Sequence, residues 1–412
     1  MNYIVIISDA MRADFLYNKN YSPHLHNFFT EYGGIKFMNA YSSSNWTQAV
    51  KMSILTGFLP SNNGLDDITY ARHEWRAKKD PYNAFKATKI AYDDFLVSKL
   101  RKKGYKTRYF GSKHTWRYLS HTAHHLDNEI VLWDFLFFQL NKIKKAYNPE
   151  DKPFYWMTWD NDAGHDPWGV FPRNTREDMK GETYKGDSKT AFRGTYVLHN
   201  PGLFPKERLM KLAGLQMQQY DLKLKAFLEW FLETGLYKDT TLIITSDHGE
   251  GFWEKGIIGH AVTCTESEIR VPIFIYHPTF STPGKIQEIN DVVSLIDLGA
   301  TILEQDRYGD GVNLFKREKD RIAYFEFTRR AGKGVGVEEF KSLGEMRKNV
   351  YVRGLRHNKY KLIFMKDIHG ETTTELYDFS KKREETKETA VENDNLWQKY
   401  LSMLAEKFGG LE

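Results

Sequence analysis

The sequence predicts an α/β fold: a mostly parallel central sheet flanked by helices, followed by a small antiparallel sheet with one helix packed on it. Three observations carry this. Residues 4–7 read Ile-Val-Ile-Ile, a short run with no polar face, as a strand covered on both sides requires. Through residue 303, strand-like runs alternate with helical patterns. Beyond that point consecutive short strands joined by turns take over, until one last helix. We place the change near residue 315, which gives units 1–315 and 316–412.

In chain order, residues 3–8 form the first strand. Pro23 to Tyr32 has Leu25, Phe28 and Phe29 at helical spacing. A helix after Thr47 carries Ala49, Met52 and Leu55 on one face and is stopped by Gly57 and Pro60. Residues 91–103 predict an amphipathic helix ended by Gly104, followed by a strand at Lys106–Phe110. Phe154–Trp159 is a further strand. Residues 206–234 form the longest helix, with Leu224, Phe227, Leu228 and Phe231 on its buried face and Gly235 suited to its end. Strands follow at Thr241–Thr245 and Val271–Tyr276, and a helix at Val292–Leu303. In the last unit, strands are predicted at Tyr351–Arg356, Lys359–Phe364 and Thr374–Tyr377, and a helix from Leu396 to Phe408. Residues 166–207 are irregular and rich in Gly, Pro, Lys and Asp. A loop of that length is either a surface excursion or a lid.

Composition narrows the chemistry. The 412 residues are 41% hydrophobic and 15% aromatic, enough for one large core and a smaller appendage. Lys+Arg outnumber Asp+Glu by 59 to 54, a bias that suits anionic substrates without requiring nucleic acid or a membrane. Cys264 is the single cysteine, so neither an internal disulfide nor a cysteine metal cluster can form. No apolar run reaches the roughly 20 residues that cross a bilayer. The longest, around Ile130–Leu140, is interrupted by Asp134. Met1-Asn2-Tyr3 has no basic region ahead of the first strand, so we expect no signal peptide and a cytoplasmic protein.

Ligands of open α/β sheets bind beyond the carboxyl ends of the strands. Asp9 follows the first strand there, and Asp247 and His248 follow the strand at 241–245. Two carboxylates and an imidazole brought together would hold a divalent cation. Each has a plain alternative, since an aspartate after a strand is often only a helix cap. Thr47 opens the helix of Ala49, Met52 and Leu55, where a hydroxyl meets the positive end of the helix dipole. It could be a cap, or a nucleophile activated by a neighbouring metal.

A series of segments, in order and along nearly the whole chain, resembles the sulfatase family of the alkaline phosphatase superfamily. "NYIVIISDAMRADFL" is similar to its opening strand and first metal-ligand aspartate. "SPHLHNFFTEYGGIKFMNAYSSS" and "WTQAVKMSILTGFLPSNNG" resemble the next segment and the nucleophile segment. "YDLKLKAFLEWFLETGLYKDTTLIITSDHGE" is similar to the long helix and second metal strand, and "GHAVTCTESEIRVPIFI" to the stretch after it. "GLRHNKYKLI" and "TELYDFSKKREET" resemble the closing subdomain.

The resemblance implies a metal site of Asp9, Asp247, His248 and Thr47, with Thr47 as nucleophile. Family members with cysteine or serine there convert it to formylglycine. Threonine is not a substrate for that conversion, so no formylglycine is expected and Thr47 attacks directly. Threonine at this position goes with phosphate chemistry in the superfamily. Ala10 stands where many members have a second acidic residue. The family Pro-Ser-Arg becomes Ala49-Val50-Lys51, so Lys51 keeps the charge without the bidentate fork of arginine. A solvated helix lysine is its alternative. His165 and His260 match substrate- or metal-contacting histidines, and Lys113 and His114 partly match a substrate-binding segment. Each could instead be a hydrogen-bonded structural residue.

The expected cofactor is one divalent ion, Mn²⁺, Zn²⁺, Mg²⁺ or Ca²⁺, with a second ion left open through Asp162. The expected partner is a small anionic ester, free or on a glycan or lipid, and neither nucleic acid nor a membrane span is expected. Four readings stand: a phosphate- or phosphonate-ester hydrolase, a sulfatase proper, a transferase to a glycan or lipid head group, and a catalytically silent binding protein.

Overall fold

The computed structural model describes residues 1–65, 89–112, 129–133, 139–160, 202, 205–316, 318–328, 349–367 and 369–411. Its centre is a nine-stranded sheet. The strands are β1 (Asn2–Ser8), β2 (Gly34–Tyr41), β3 (Lys106–Ser112), β4 (Glu129–Trp133), β5 (Phe154–Asp160), β6 (Thr240–Ser246), β7 (Ile273–Tyr276) and β8 (Ile286–Ser294), with the two-residue strand Arg270–Val271 beside β2. They lie in the order β8-β2-β7-β6-β1-β5-β3-β4.

β1 explains why the opening run is apolar throughout. It lies between β5 and β6, parallel to both. Val5 and Ile7 enter the core on one face, Ile4 and Ile6 the core on the other. Burying such side chains on both faces stabilises the strand by about 1.5–3 kcal/mol for each large residue. Helices α1 (Pro23–Glu31) and α4 (Lys206–Glu233) cover the second face with Leu25, Phe28, Met217, Leu224 and Phe231. Helices α2 (Thr47–Thr56), α3 (Leu96–Lys102) and α5 (Asp297–Ile302) cover the first with Ile54, Leu96, Leu100 and Leu298.

The sheet is mostly parallel, as expected, with antiparallel pairings at one place. β7 runs antiparallel to both β2 and β6. Pro272 lacks the N–H a central strand must donate, so the run predicted at Val271–Tyr276 is split into Arg270–Val271 and β7. The helix predicted at Val292–Leu303 also needs correction. Its first part is the end of β8, and the helix begins only at Asp297. Asp297 accepts the Ser294 N–H at 2.8 Å and so secures the turn between them. The helix expected over 91–103 starts at Leu96, after one 3₁₀ turn at Tyr92–Asp94. β2 and β8 were not anticipated.

The chain ends in a four-stranded antiparallel sheet, β9 (Ile322–Thr328), β10 (Asn349–His357), β11 (Tyr360–Asp367) and β12 (Thr372–Asp378), and helix α6 (Asp394–Phe408). Sequence reasoning missed β9. One face packs Leu362 and Leu376 against Tyr400 and Leu404 of α6. The other places Phe325, Phe327 and Ile363 against Tyr41, Trp46 and Ala49, so this sheet braces the residues either side of Thr47. Among the described residues, no helix is long and apolar enough to cross a membrane.

Candidate active site

The three central strands β1, β5 and β6 end level, with Ser8 paired to both Asp160 and Ser246. The next residues therefore meet at one edge. After Asp9 the chain turns through Ala10, whose φ of +57° is left-handed. That turn aims the Ala10 N–H at Asp247 Oδ1, 2.9 Å away. The same oxygen accepts the His248 N–H at 2.8 Å. Two backbone donors thus fix one oxygen of Asp247, and the other, Oδ2, is buried without a hydrogen-bond donor. Burial first, and Asp9 second, push the Asp247 carboxyl up to about 6.

His248 is fully buried. Its Nδ1 lies 2.8 Å from the Gly249 carbonyl, which can only accept, so Nδ1 carries the proton. Nε2 is left with its lone pair, 3.5 Å from Asp9 Oδ1 and 3.7 Å from Asp247 Oδ2. One ligand atom from each of Asp9, Asp247 and His248 falls within 4.8 Å of the others. Two carboxylates side by side in a buried place repel each other, and a carboxylate oxygen with no donor is costly. A divalent cation relieves both, so these residues fit one.

Thr47 Oγ1 stands over this group, 3.3 Å from Asp9 Oδ1 and 3.2 Å from His248 Nε2. It is the first residue of α2, with Trp46 as the extended residue before it, and its side chain makes no cap. The cap alternative for Thr47 is therefore set aside. Unlike the buried carboxylates beneath, Thr47 is partly exposed.

The family model for sulfatases matches residues 1–305. The chain belongs to the sulfatase family. Its fold is that of solved members over nearly its whole length. The phosphonate monoester hydrolase of Silicibacter pomeroyi is 16% identical, with 99% of this chain and 94% of that chain covered and a TM-score of 0.67. That of Agrobacterium radiobacter is 15% identical, with 99% and 94% covered and a TM-score of 0.67. A structure in complex with its substrate D-glucosamine-2-N,6-O-disulfate is 14% identical, with 98% and 97% covered and a TM-score of 0.63. At such identities the likeness establishes the fold. No curated protein matches the chain.

Two more of the expected residues lie beside this group. Lys51, one turn along α2 from Thr47, is 1% exposed, which removes the solvated-lysine alternative. Its Nζ lies 4.0 Å from the ring centre of Trp159 on β5. Burial lowers its pKa to about 8, with Asp9 and Asp247 acting against the shift. His260 lies ring to ring with His248, 4.4 Å between centroids. Its Nδ1 is 3.0 Å from Glu250 Oε2. A short pairing of Gly251–Phe252 with Ile258–Gly259 brings the two together. His165, Lys113, His114 and Asp162 lie outside the described residues.

Sequence reasoning missed three contributors. Glu250 orients His260, and only its place two residues beyond His248 hinted at it. Asp160 is fully buried at the end of β5 and accepts the Ser8 hydroxyl at 3.0 Å. Glu268 gathers the Asn45 side-chain amide at 2.9 Å and the Val262 and Thr265 N–H groups at 3.1 and 3.0 Å. It ties the segment before Thr47 to the one after His260. Its one sequence signal was the T-x-x-E spacing from Thr265, a capping box, which marks a helix start and not a partner of Asn45.

Proposed function

We propose that the chain is a metal-dependent ester hydrolase of phosphate-type substrates, mono- or diesters or phosphonates, with Thr47 as nucleophile. The carrying observation is the Thr47 hydroxyl held within 3.3 Å of Asp9 and 3.2 Å of His248, at the first turn of a helix. Threonine rather than cysteine or serine leaves no route to formylglycine, so the hydroxyl itself is the attacking group.

Asp9, Asp247 and His248 would hold one divalent cation, Mn²⁺, Zn²⁺, Mg²⁺ or Ca²⁺, with Thr47 beside it. When bound, such an ion lowers the pKa of a nearby hydroxyl and neutralises an oxygen of the ester. Thr47 Oγ1 attacks phosphorus in line, and its proton is given toward Asp9 Oδ1. The new Oγ1–P bond replaces the bond to the leaving alcohol, and Thr47 becomes a phosphothreonine. The Lys51 ammonium and the α2 N-terminus favour the charge growing on the equatorial oxygens. His260, oriented through Nδ1 by Glu250, presents Nε2 to the departing oxygen and gives it a proton. Water then attacks phosphorus and gives a proton to the His260 imidazole, while the Oγ1–P bond breaks and Thr47 regains its proton from Asp9.

A sulfate ester is the second reading, favoured by the disulfated glucosamine bound to the structural relative. The test is a panel of p-nitrophenyl phosphate, bis-p-nitrophenyl phosphate, p-nitrophenyl phenylphosphonate and p-nitrophenyl sulfate, each assayed with the four metals. Turnover of the phosphorus esters, lost in Thr47→Ala, supports the proposal. Turnover of the sulfate alone hands the site to the second reading. Full activity of Thr47→Ala removes the nucleophile assignment. A purified protein that stays metal-free in metal-replete medium and turns over nothing is a silent member of the family.

A further inference from the structure

A separate cavity of about 250 Å³ lies where the chain after β12 meets the edge of the central sheet. Arg12, Lys206, Arg270, Arg383, Glu254 and Glu384 are among its walls, and none of Asp9, Thr47, Lys51, Asp247 or His248 is. Its carboxylates already have partners. Arg12 holds Asp14 at 2.8 Å and Glu254 at 3.0 Å. Lys206 holds Glu254 and Glu384, each at 3.3 Å, and Lys382 also holds Glu384, at 2.7 Å. The buried Lys361 holds Glu266 at 3.2 Å and Glu385 at 2.8 Å.

Two guanidiniums are left over. Arg270 and Arg383 form no ion pair among the described residues. Both instead converge on one acceptor, the Met38 carbonyl. Arg270 reaches it through Nε and Nη2 at 3.1 and 3.0 Å, and Arg383 through Nη1 at 2.8 Å. Among the described residues, Arg270 Nη1 and Arg383 Nε and Nη2 donate to no acceptor. Like charges held this close repel, and the carbonyl they share supplies no countercharge; Glu266, which faces both, is already paired with Lys361, and Asp14, which faces Arg270, with Arg12. A planar guanidinium pair with free N–H groups suits an oxyanion with several acceptor oxygens. The geometry points to a second anion site here, in which Arg270 and Arg383 bind a phosphate- or sulfate-type group, free or carried on a small organic molecule. The cavity is larger than the bare ion, so an organic substituent fits beside it.

The site does not depend on the reading of Thr47. It is linked to the active-site group by hydrogen bonds, however: Arg12 also donates to the Glu250 carbonyl at 3.1 Å, and Glu250 orients His260.

Calorimetric titration of the full chain tests the proposal, with inorganic phosphate and sulfate as the free-anion arm. Phenylphosphonate, whose C–P bond resists hydrolysis, is the substituted arm. Asp247→Asn removes a ligand of the cation that would hold an anion at the candidate active site, and leaves the second site in place. In that variant we expect one equivalent to bind. Arg383→Gln should weaken it at least tenfold, and Arg383→Lys less, since charge is kept and the fork lost. Equal circular dichroism and melting of the three proteins shows that the fold survives. Tighter binding of phenylphosphonate assigns the site to substituted anions, and tighter binding of the inorganic ions to free ones. No binding to Asp247→Asn, or binding that Arg383→Gln leaves unchanged, overturns the proposal.

Discussion

Thr47 Oγ1 lies 3.2 Å from His248 Nε2, across 201 positions of sequence. Nε2 carries no proton, because Nδ1 spends the single imidazole proton on the Gly249 carbonyl. The contact therefore joins a hydroxyl to a lone pair, which is where a cation and a nucleophile would share a boundary. Thr47→Ala should lower kcat by at least about 10³-fold with unchanged melting, because the side chain caps nothing and supports little packing. Thr47→Ser should keep measurable activity. Progress curves for both variants on a phosphorus ester check this.

Metal and stability should be coupled with a sign that reverses. With a cation present at 100 times its dissociation constant, folding gains about 2.7 kcal/mol, so chelation should lower the melting temperature and re-addition restore it. In chelated protein, Asp247→Asn should raise it, since one of two mutually repelling buried carboxylates is gone. In metal-loaded protein the same change should lower it. Scanning calorimetry of the four samples decides, and a shift of the same sign in both states would refute the metal assignment.

Glu250→Gln keeps the shape of the residue beside His260 and removes its charge. An orienting partner of this kind is worth roughly ten- to a hundredfold. We expect that loss in kcat with KM nearly unchanged, and a smaller loss with a leaving group acidic enough to depart without a proton. Rates for p-nitrophenyl and alkyl esters make the comparison.

Lys51 should set the alkaline limb of the rate. Its pKa, lowered to about 8 by burial, means that the charged form declines above that pH. A bound cation repels the ammonium and moves the limb of kcat/KM lower. Lys51→Met should flatten the limb and cost about 10²–10³-fold in kcat. A pH profile from 6 to 10 of both proteins reads it.

Two buried histidines and one half-buried one predict the acid side of stability. His26, His277 and His357 are each held below the ordinary imidazole value by burial. The unfolded chain takes up protons near pH 6.5 that the fold resists, so the stability they contribute is fully present above that value and is lost as pH falls below it. Melting temperatures of metal-loaded protein should drop from pH 7 to 5, and His26→Gln should reduce the slope. A flat profile would contradict this.

What could be read from the sequence was whatever depends on neighbours along the chain. The apolar run 4–7, Asp9 at its end, and Asp247-His248 at the end of a second such run all announce themselves. So does the C-terminal stop of α2, because Gly57 takes the left-handed φ of +74° that ends a helix. Partnerships across the fold were not legible. Glu250 and Glu268 look like ordinary surface glutamates until a hairpin folds one onto His260 and a buried loop closes around the other. Only the end of β8, Val292–Ser294, was read as helix, because Val292 and Val293 bury side by side beyond a bulge instead of alternating. The direction of β7 is set by its neighbours and not by any residue of its own.

The position of β1 has a consequence for biosynthesis. Its neighbours in the sheet are Phe154–Asp160 and Thr240–Ser246, both made long after it. An apolar strand whose partners are so distant cannot be paired while the ribosome is still adding them, and it folds slowly once they arrive. The cation pocket is split in the same way, since Asp9 waits for Asp247 and His248. Nascent chains released before Ser246 would expose an apolar strand without its partners and lack two of the three groups that could hold an ion, so any metal loading would follow translation of the sheet.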